Sequence, residues 1–171
     1  MDALDAIMTR RSVRRFSSEP VDDATVRALL GAAMQAPSAA NEQPWQFIVI
    51  DDRRALDAIP SFSPYAASVR EAPLGILVCA DTRNLPFPGF WVQDCSAAIQ
   101  NLLIAAHALG LGGVWTGVYP LEDRVEGFAR HCRLPDGVVP VGFLVLGHPA
   151  ERPAPQDRYS ADRVHHNAWG G

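Results

Sequence analysis

Between Cys95 and Leu109 the chain carries Ala97, Ala98, Ile99, Leu102, Leu103, Ile104, Ala105 and Leu109, apolar residues that surround nearly the whole circumference of a helix. A helix apolar on every side needs cover on every side. The segment opens at Asp94 or Cys95, and Gly110 supplies its stop signal. A chain of 171 residues is long enough to bury a core without disulfide staples, and a second subunit is a simple way to complete the cover of such a helix. The uncharged run continues to Leu121, but Gln100, Asn101, His107 and several glycines interrupt it, which makes it a poor membrane span. It reads as a buried helix followed by a buried strand.

The rest of the pattern alternates helices and strands. Asp2 can cap a first helix reaching about Arg10, with Leu4, Ile7 and Met8 as its apolar side. A second helix begins near Asp22 or Asp23, carries Val26, Leu29, Leu30, Ala33 and Met34 at helical spacing, and stops before Pro37. Strands are predicted at 45–50, 74–80, 114–118 and 138–146, with helices at 53–59 and 121–132. After Gly147-His148-Pro149 comes a Pro-rich polar tail ending in Val164-His165-His166-Asn167-Ala168-Trp169. It has too few apolar residues to fold alone, so residues 149–171 are expected to lie on the body of a single 1–171 domain or on a second subunit. Gly110, Gly112 and Gly113 follow a helix, not a strand, so no dinucleotide-binding fingerprint is present.

Composition narrows the class. Hydrophobic residues make up 48% and charged ones 20%, as in a soluble globular protein. The net charge of −4 and one small basic cluster argue against a nucleic-acid surface. Cys79, Cys95 and Cys132 are odd in number and lack metal-ligand spacing, so they read as reduced thiols of a cytoplasmic protein. Met1–Asp5 lacks the basic start and apolar block of a secretory signal. No membrane or metal partner is expected; His165-His166 have no companions at metal spacing.

Three stretches carry candidate chemistry. Arg10-Arg11-Ser12-Val13-Arg14-Arg15 sets four guanidinium groups, suited to bidentate phosphate contacts, around a hydroxyl. The plainer reading is that arginines at a helix C-terminus complement its dipole. Ala36 to Phe47 combines small residues with Asn41 and Gln43, a loop that lets a planar ligand approach the backbone; taken alone, a helix stop followed by an Asn/Pro turn is the favoured reading. Gly110 to Pro120 ends a strand in Thr116-Gly117, with an accessible N–H at Gly117 beside the aromatic wall of Trp115; an ordinary helix–strand connection is the alternative.

The motifs R-R-S-x-R-x-F, A-P-S-x-x-N-x-Q-P-W-x-F, D-x-x-x-A-x-Q-N-L-x-x-A-A-x-x-L-G-L-G and V-P-V-G-x-x-x-L-G occur in this order between Asp5 and Trp169. Together they resemble the nitroreductase-like family of FMN-dependent oxidoreductases, of which this chain would be a compact member. The resemblance implies an α+β fold: a central, mostly antiparallel sheet flanked by helices, in an intertwined homodimer with two FMN sites built from both chains. It implies that Arg10 and Ser12 hold the phosphate and ribityl end, with Arg11 as a second phosphate contact and Arg14 near the pyrimidine edge. Pro37, Ser38, Ala39 and Asn41 would reach the flavin of the partner subunit. Trp115, Thr116 and Gly117 would lie behind the ring, the Gly117 N–H donating to N5. Gly147, His148 and Arg158 would lie at the phosphate end, and Phe90 and Trp91, with Phe87, in a loop covering the substrate.

The activity implied is ping-pong hydride transfer from NADH or NADPH through flavin N5 to a nitroaromatic, quinone or enone acceptor, with no catalytic side chain. Flavin fragmentation, reductive dehalogenation and non-catalytic flavin binding remain as alternatives. The chain departs from the family pattern in Gln156, where a basic residue often stands, and in Thr116, where many relatives have Glu. The contacts to flavin N3 and O4 are not assignable within Ser61–Arg70. His107 reads as a satisfied core histidine.

Overall fold

The computed structural model describes residues 1–170. Its helices are α1 (Ala3–Thr9), α2 (Asp23–Ala33), α3 (Arg53–Ala58), α4 (Trp91–Ala108) and α5 (Glu122–Cys132). Its strands are β1 (Trp45–Ile50), β2 (Leu74–Asp81), β3 (Gly112–Gly117) and β4 (Val138–Gly147), all antiparallel in the order β1-β2-β4-β3. The fold is α+β, as the motifs implied.

Aspartates start three helices. Asp2, Asp22 and Asp52 each accept a hydrogen bond from a first-turn backbone N–H, at Leu4, Thr25 and Ala55. Such caps satisfy donors that the helix itself leaves free. α1 ends at Thr9, so the arginine cluster lies beyond it in extended backbone. There the chain runs alongside β3, with a bridge from Ser12 to Gly113 and a hydrogen bond from Val13 N–H to the Gly113 carbonyl at 3.1 Å.

The two faces of the sheet carry separate cores because side chains alternate along each strand. Ile76, Val78, Leu144 and Leu146 pack against α4 and α2 through Ala98, Ile99, Leu102 and Leu29. Leu77, Cys79, Phe143 and Val145 face the other way, against Leu56, Phe128, Val13 and the segment following α3. Glycine permits close approach at two points. A Cβ at Gly112 would meet Val13 at 2.7 Å, and one at Gly113 would meet Leu146 at 2.8 Å and Leu103 at 3.1 Å.

α4 begins one turn earlier than its sequence pattern indicated. Trp91 is its first residue, and Asp94 lies in the first turn, where a carboxylate complements the helix dipole. Along its length Cys95, Ala98, Ile99, Leu102, Leu103 and Ala106 are buried, while Gln100, Ala108 and Leu109 remain exposed. One chain therefore covers only part of the helix. α1 packs beside α4 with its apolar side outward: Leu4 is 71% exposed and Met8 61%. No helix among the described residues is long and apolar enough to cross a membrane.

Candidate functional site

The edge of β3 carries the first part of the site. Gly113 presents its carbonyl outward to Val13, away from β4. In an antiparallel strand both backbone groups of a residue point the same way and neighbours alternate, so Trp115 and Gly117 also turn their N–H and C=O to the free edge. Gly117 has open space where a Cβ would stand. Trp115, partly exposed, lays its indole across Gly142 beside Ile99 of α4. Thr116 behaves otherwise: its side chain is buried on the opposite face and its hydroxyl donates to the Phe143 carbonyl at 2.9 Å.

The segment 10–14 flanks this edge. Val13 is buried against the Phe143 face and lies over Gly112, while the backbone N–H groups of Arg14 and Arg15 both turn to Glu151. From Gly113 to Gly117 the edge extends about 13 Å at strand rise, with Ser12 bridged to its start at Gly113. Arg10 is partly desolvated, and its pKa is lowered by that burial and by the charges of Arg11 and Arg158. No carboxylate pairs with Arg10 or Arg158 among the described residues. Cations brought together without a counter-charge form a site for an anion. The tail thus returns Arg158 to Arg10, although many residues separate them in sequence.

Other expected site residues have different tasks. Arg11 donates through Nε to the Ala154 carbonyl at 3.2 Å and through Nη2 to the Gln156 carbonyl at 2.8 Å. Its guanidinium straps the tail to the body, and its charge, like that of Arg158, lies near Arg10. Gly147 packs against Pro73 and Phe16, and the His148 ring lies 3.9 Å from Glu19. Both face the Phe16–Glu19 segment. Trp91 is helical, not in a loop, and its ring makes an edge contact with Tyr119 at 4.8 Å, while Phe90 remains exposed.

Pro37, Ser38, Ala39 and Asn41 lie at the start of β1, on the far edge of the sheet. Three strand spacings separate β1 from β3, about 14 Å. One chain therefore does not bring this loop to its own Gly117 edge. The loop is tightly formed: Ala40, Asn41 and Gln43 have φ of 45°, 57° and 49°, and Gln43 N–H donates to the Ser38 hydroxyl at 3.0 Å. Left-handed backbone at three non-glycine residues is strained and persists where surroundings enforce it.

Two carboxylates that the sequence reading did not single out hold these parts. Asp94, 5% exposed, accepts from Ala39 N–H at 3.0 Å and anchors the loop to α4. Glu151 Oε1 accepts from Arg14 N–H at 2.6 Å and Arg15 N–H at 3.2 Å, which fixes the arginine segment. Asp94 lies within a recognised motif, but its loop contact has no local signature; Glu151 has none either. His107 is half-buried between α1 and α4, hydrogen bonded to the Thr9 hydroxyl at 2.8 Å. Burial, then the nearby Arg10, lowers its pKa. Burial pushes Cys79 and Cys95 up to about 12 and Cys132 to about 11, so these thiols are inert as nucleophiles.

Gly142 supports the aromatic wall in a way that can be tested. Gly142→Ala places a methyl group in the Trp115 indole and 2.8 Å from Ile99, so the ring must swing outward. Overpacking of this kind costs about 1–3 kcal/mol, and the variant is expected to unfold at lower denaturant with red-shifted tryptophan emission. Unchanged emission would show that the indole does not depend on this gap.

A family model described as Nitroreductase family matches residues 7–68 and 63–148. A protein of Methanothermobacter thermautotrophicus, provisionally named NADH dehydrogenase/NAD(P)H nitroreductase, is 52% identical over 169 residues, covering 99% of this chain and 88% of the relative. A solved structure from Parabacteroides distasonis with the same provisional name has a TM-score of 0.92 at 40% identity, covering 98% of each chain. Another, a provisionally named nitroreductase from Desulfovibrio desulfuricans in complex with FMN, has a TM-score of 0.85 at 34% identity and again covers 98% of each chain. The match in sequence and in fold extends over nearly the whole length, and the chain belongs to the Nitroreductase family.

Proposed function

We propose that this protein is an FMN-dependent NAD(P)H oxidoreductase whose sites are each completed by two copies of the chain. The observation that carries the reading is a free strand edge that ends in the Gly117 amide, flanked by the segment that holds Arg10, partly buried, without a carboxylate partner and near Arg11 and Arg158. An anionic phosphate fits the arginines and a flat heteroaromatic ring the strand edge. The relative crystallised with FMN and the NAD(P)H-named relative support that choice of ligands.

Arg10 and Arg158 would clamp the phosphate, and the Ser12 hydroxyl would meet the ribityl chain. Arg14 would lie toward the pyrimidine edge, where a cation offsets the negative charge of the reduced ring. The Gly117 N–H would donate toward N5, and Trp115 would back the ring. When bound, FMN supplies the two-electron chemistry: hydride from NADH or NADPH at N5, then transfer to a nitroaromatic, quinone or enone in a second half-reaction. The chain positions and polarises, and no side chain has to act as acid or nucleophile. Pro37, Ser38, Ala39 and Asn41 would reach the partner's site, because their own Gly117 edge lies across the sheet. Phe90, exposed at the start of α4, would cover the open face of the site.

Anaerobic titration of the FMN-loaded protein with NADH and NADPH tests this reading. Bleaching of the flavin followed by re-oxidation with a nitroaromatic or quinone is expected. Failure of both nucleotides to bleach it would favour a flavin-binding protein without turnover. Bleaching with no re-oxidation by these acceptors would point to other flavin chemistry.

A further inference from the structure

The Gly117 carbonyl faces the same free edge as the Gly117 N–H. Left bare, it would aim the negative end of a peptide dipole at the place where the ring becomes electron-rich on reduction. Arg124 prevents this. Its Nη1 donates to the Gly117 carbonyl at 2.7 Å, reaching back from the first turn of α5. The guanidinium lies over the Tyr65 ring, 4.9 Å from the centroid. Tyr65 stands in the 3-10 segment Pro64–Arg70, which the family motifs left without a role. Arg124 makes no ion pair among the described residues. A cation in the first turn also opposes the helix dipole, so α5 itself does not account for this placement. The aromatic platform does, since it holds the guanidinium over the strand edge.

We infer that Arg124 is a positioning residue for the flavin: it caps the Gly117 carbonyl, leaves the Gly117 N–H as the free polar group at that point of the edge, and sets a positive charge beside the reacting end of the ring. The inference rests on the flavin reading of this site. The cap fixes the orientation of Gly117, a residue with few steric restraints of its own. The charge favours the reduced, more negative ring over the oxidised one.

The test compares the FMN-loaded wild type with Arg124→Ala, Arg124→Lys and Tyr65→Leu. Two quantities are read: the flavin midpoint potential, by anaerobic titration against a reference dye, and the Kd for oxidised FMN. Arg124→Ala should weaken binding of reduced relative to oxidised flavin about tenfold, a fall of about 30 mV for a two-electron couple. The Kd for oxidised FMN should stay nearly unchanged. Arg124→Lys keeps the charge and should recover most of the potential. Tyr65→Leu, which removes only the exposed platform, should give a smaller fall in the same direction and serves if Arg124→Ala does not fold. A bond that merely tethers α5 to β3 would lower stability without moving the potential. Unchanged potentials in both Tyr65→Leu and a folded Arg124→Ala would overturn the inference. A wild type that takes up no FMN would overturn the flavin reading, and this inference with it.

Discussion

Arg10→Ala is expected to weaken FMN binding about a hundredfold while leaving the apoprotein at least as stable as the parent. A hydrogen bond to a charged group contributes about 1.5–3 kcal/mol, which corresponds to about 10- to 150-fold in Kd. The direction of the stability change is the more discriminating half. In the absence of an anion, Arg10 is partly buried, lies near Arg11 and Arg158, and has no carboxylate partner. Removing it relieves repulsion, so thermal unfolding of the apoprotein should hold or move upward. Fluorescence titration with FMN and thermal melts of the apo variant measure the two effects. Loss of stability together with unchanged FMN affinity would assign Arg10 to the scaffold.

The double substitution Leu4→Glu, Met8→Glu should give a monomer that carries no flavin. Both side chains are largely exposed in the single chain, with Ile7 beside them, so folding of one chain does not depend on them. In a dimer they would be buried, and an unpaired buried charge costs several kcal/mol. Two such charges should raise the dimer dissociation constant by about three orders of magnitude or more. Sedimentation and the absorbance of bound flavin in the same sample read out both consequences. A variant that stays dimeric would show that this face of α1 lies outside the interface. A flavin-replete monomer would show that one chain suffices for the site.

Much of this architecture was legible in the sequence because its signals are local. Asp2, Asp22 and Asp52 sit where helices begin, and Pro37 lies just past the end of α2. The strands were placed within a few residues, since each is a short apolar run bounded by turn residues. The sequence pattern puts the start of α4 about one turn late: Asp94 resembles a cap, but the cap position is Phe90, which makes no side-chain bond. What spacing could not carry is set by non-local pairing. Thr116 turns away from the face that Trp115 occupies because its register against Phe143 decides which side it takes. Arg11 and Arg10 are neighbours in a motif, yet Arg11 bonds to carbonyls of the tail while Arg10 has no carboxylate partner. The sheet order alone puts the Ser38 loop and Gly117 on opposite edges. Arg124 belongs to no motif, and only the folded chain brings it to Gly117.

Those opposite edges also allow the most direct test that each site draws on two chains. A strand-edge variant, Arg10→Ala with Arg158→Ala, and a loop variant, Ser38→Trp, should each bind little FMN alone. Co-refolded in equal amounts, half of the dimers are mixed, and each mixed dimer regenerates one intact site from two undamaged contributions. Bound flavin should then return to about a quarter of the wild-type level, two sites per dimer being full occupancy. If the mixture binds no more FMN than its separate components, every contact to a given flavin comes from a single chain, and the two-chain account is wrong.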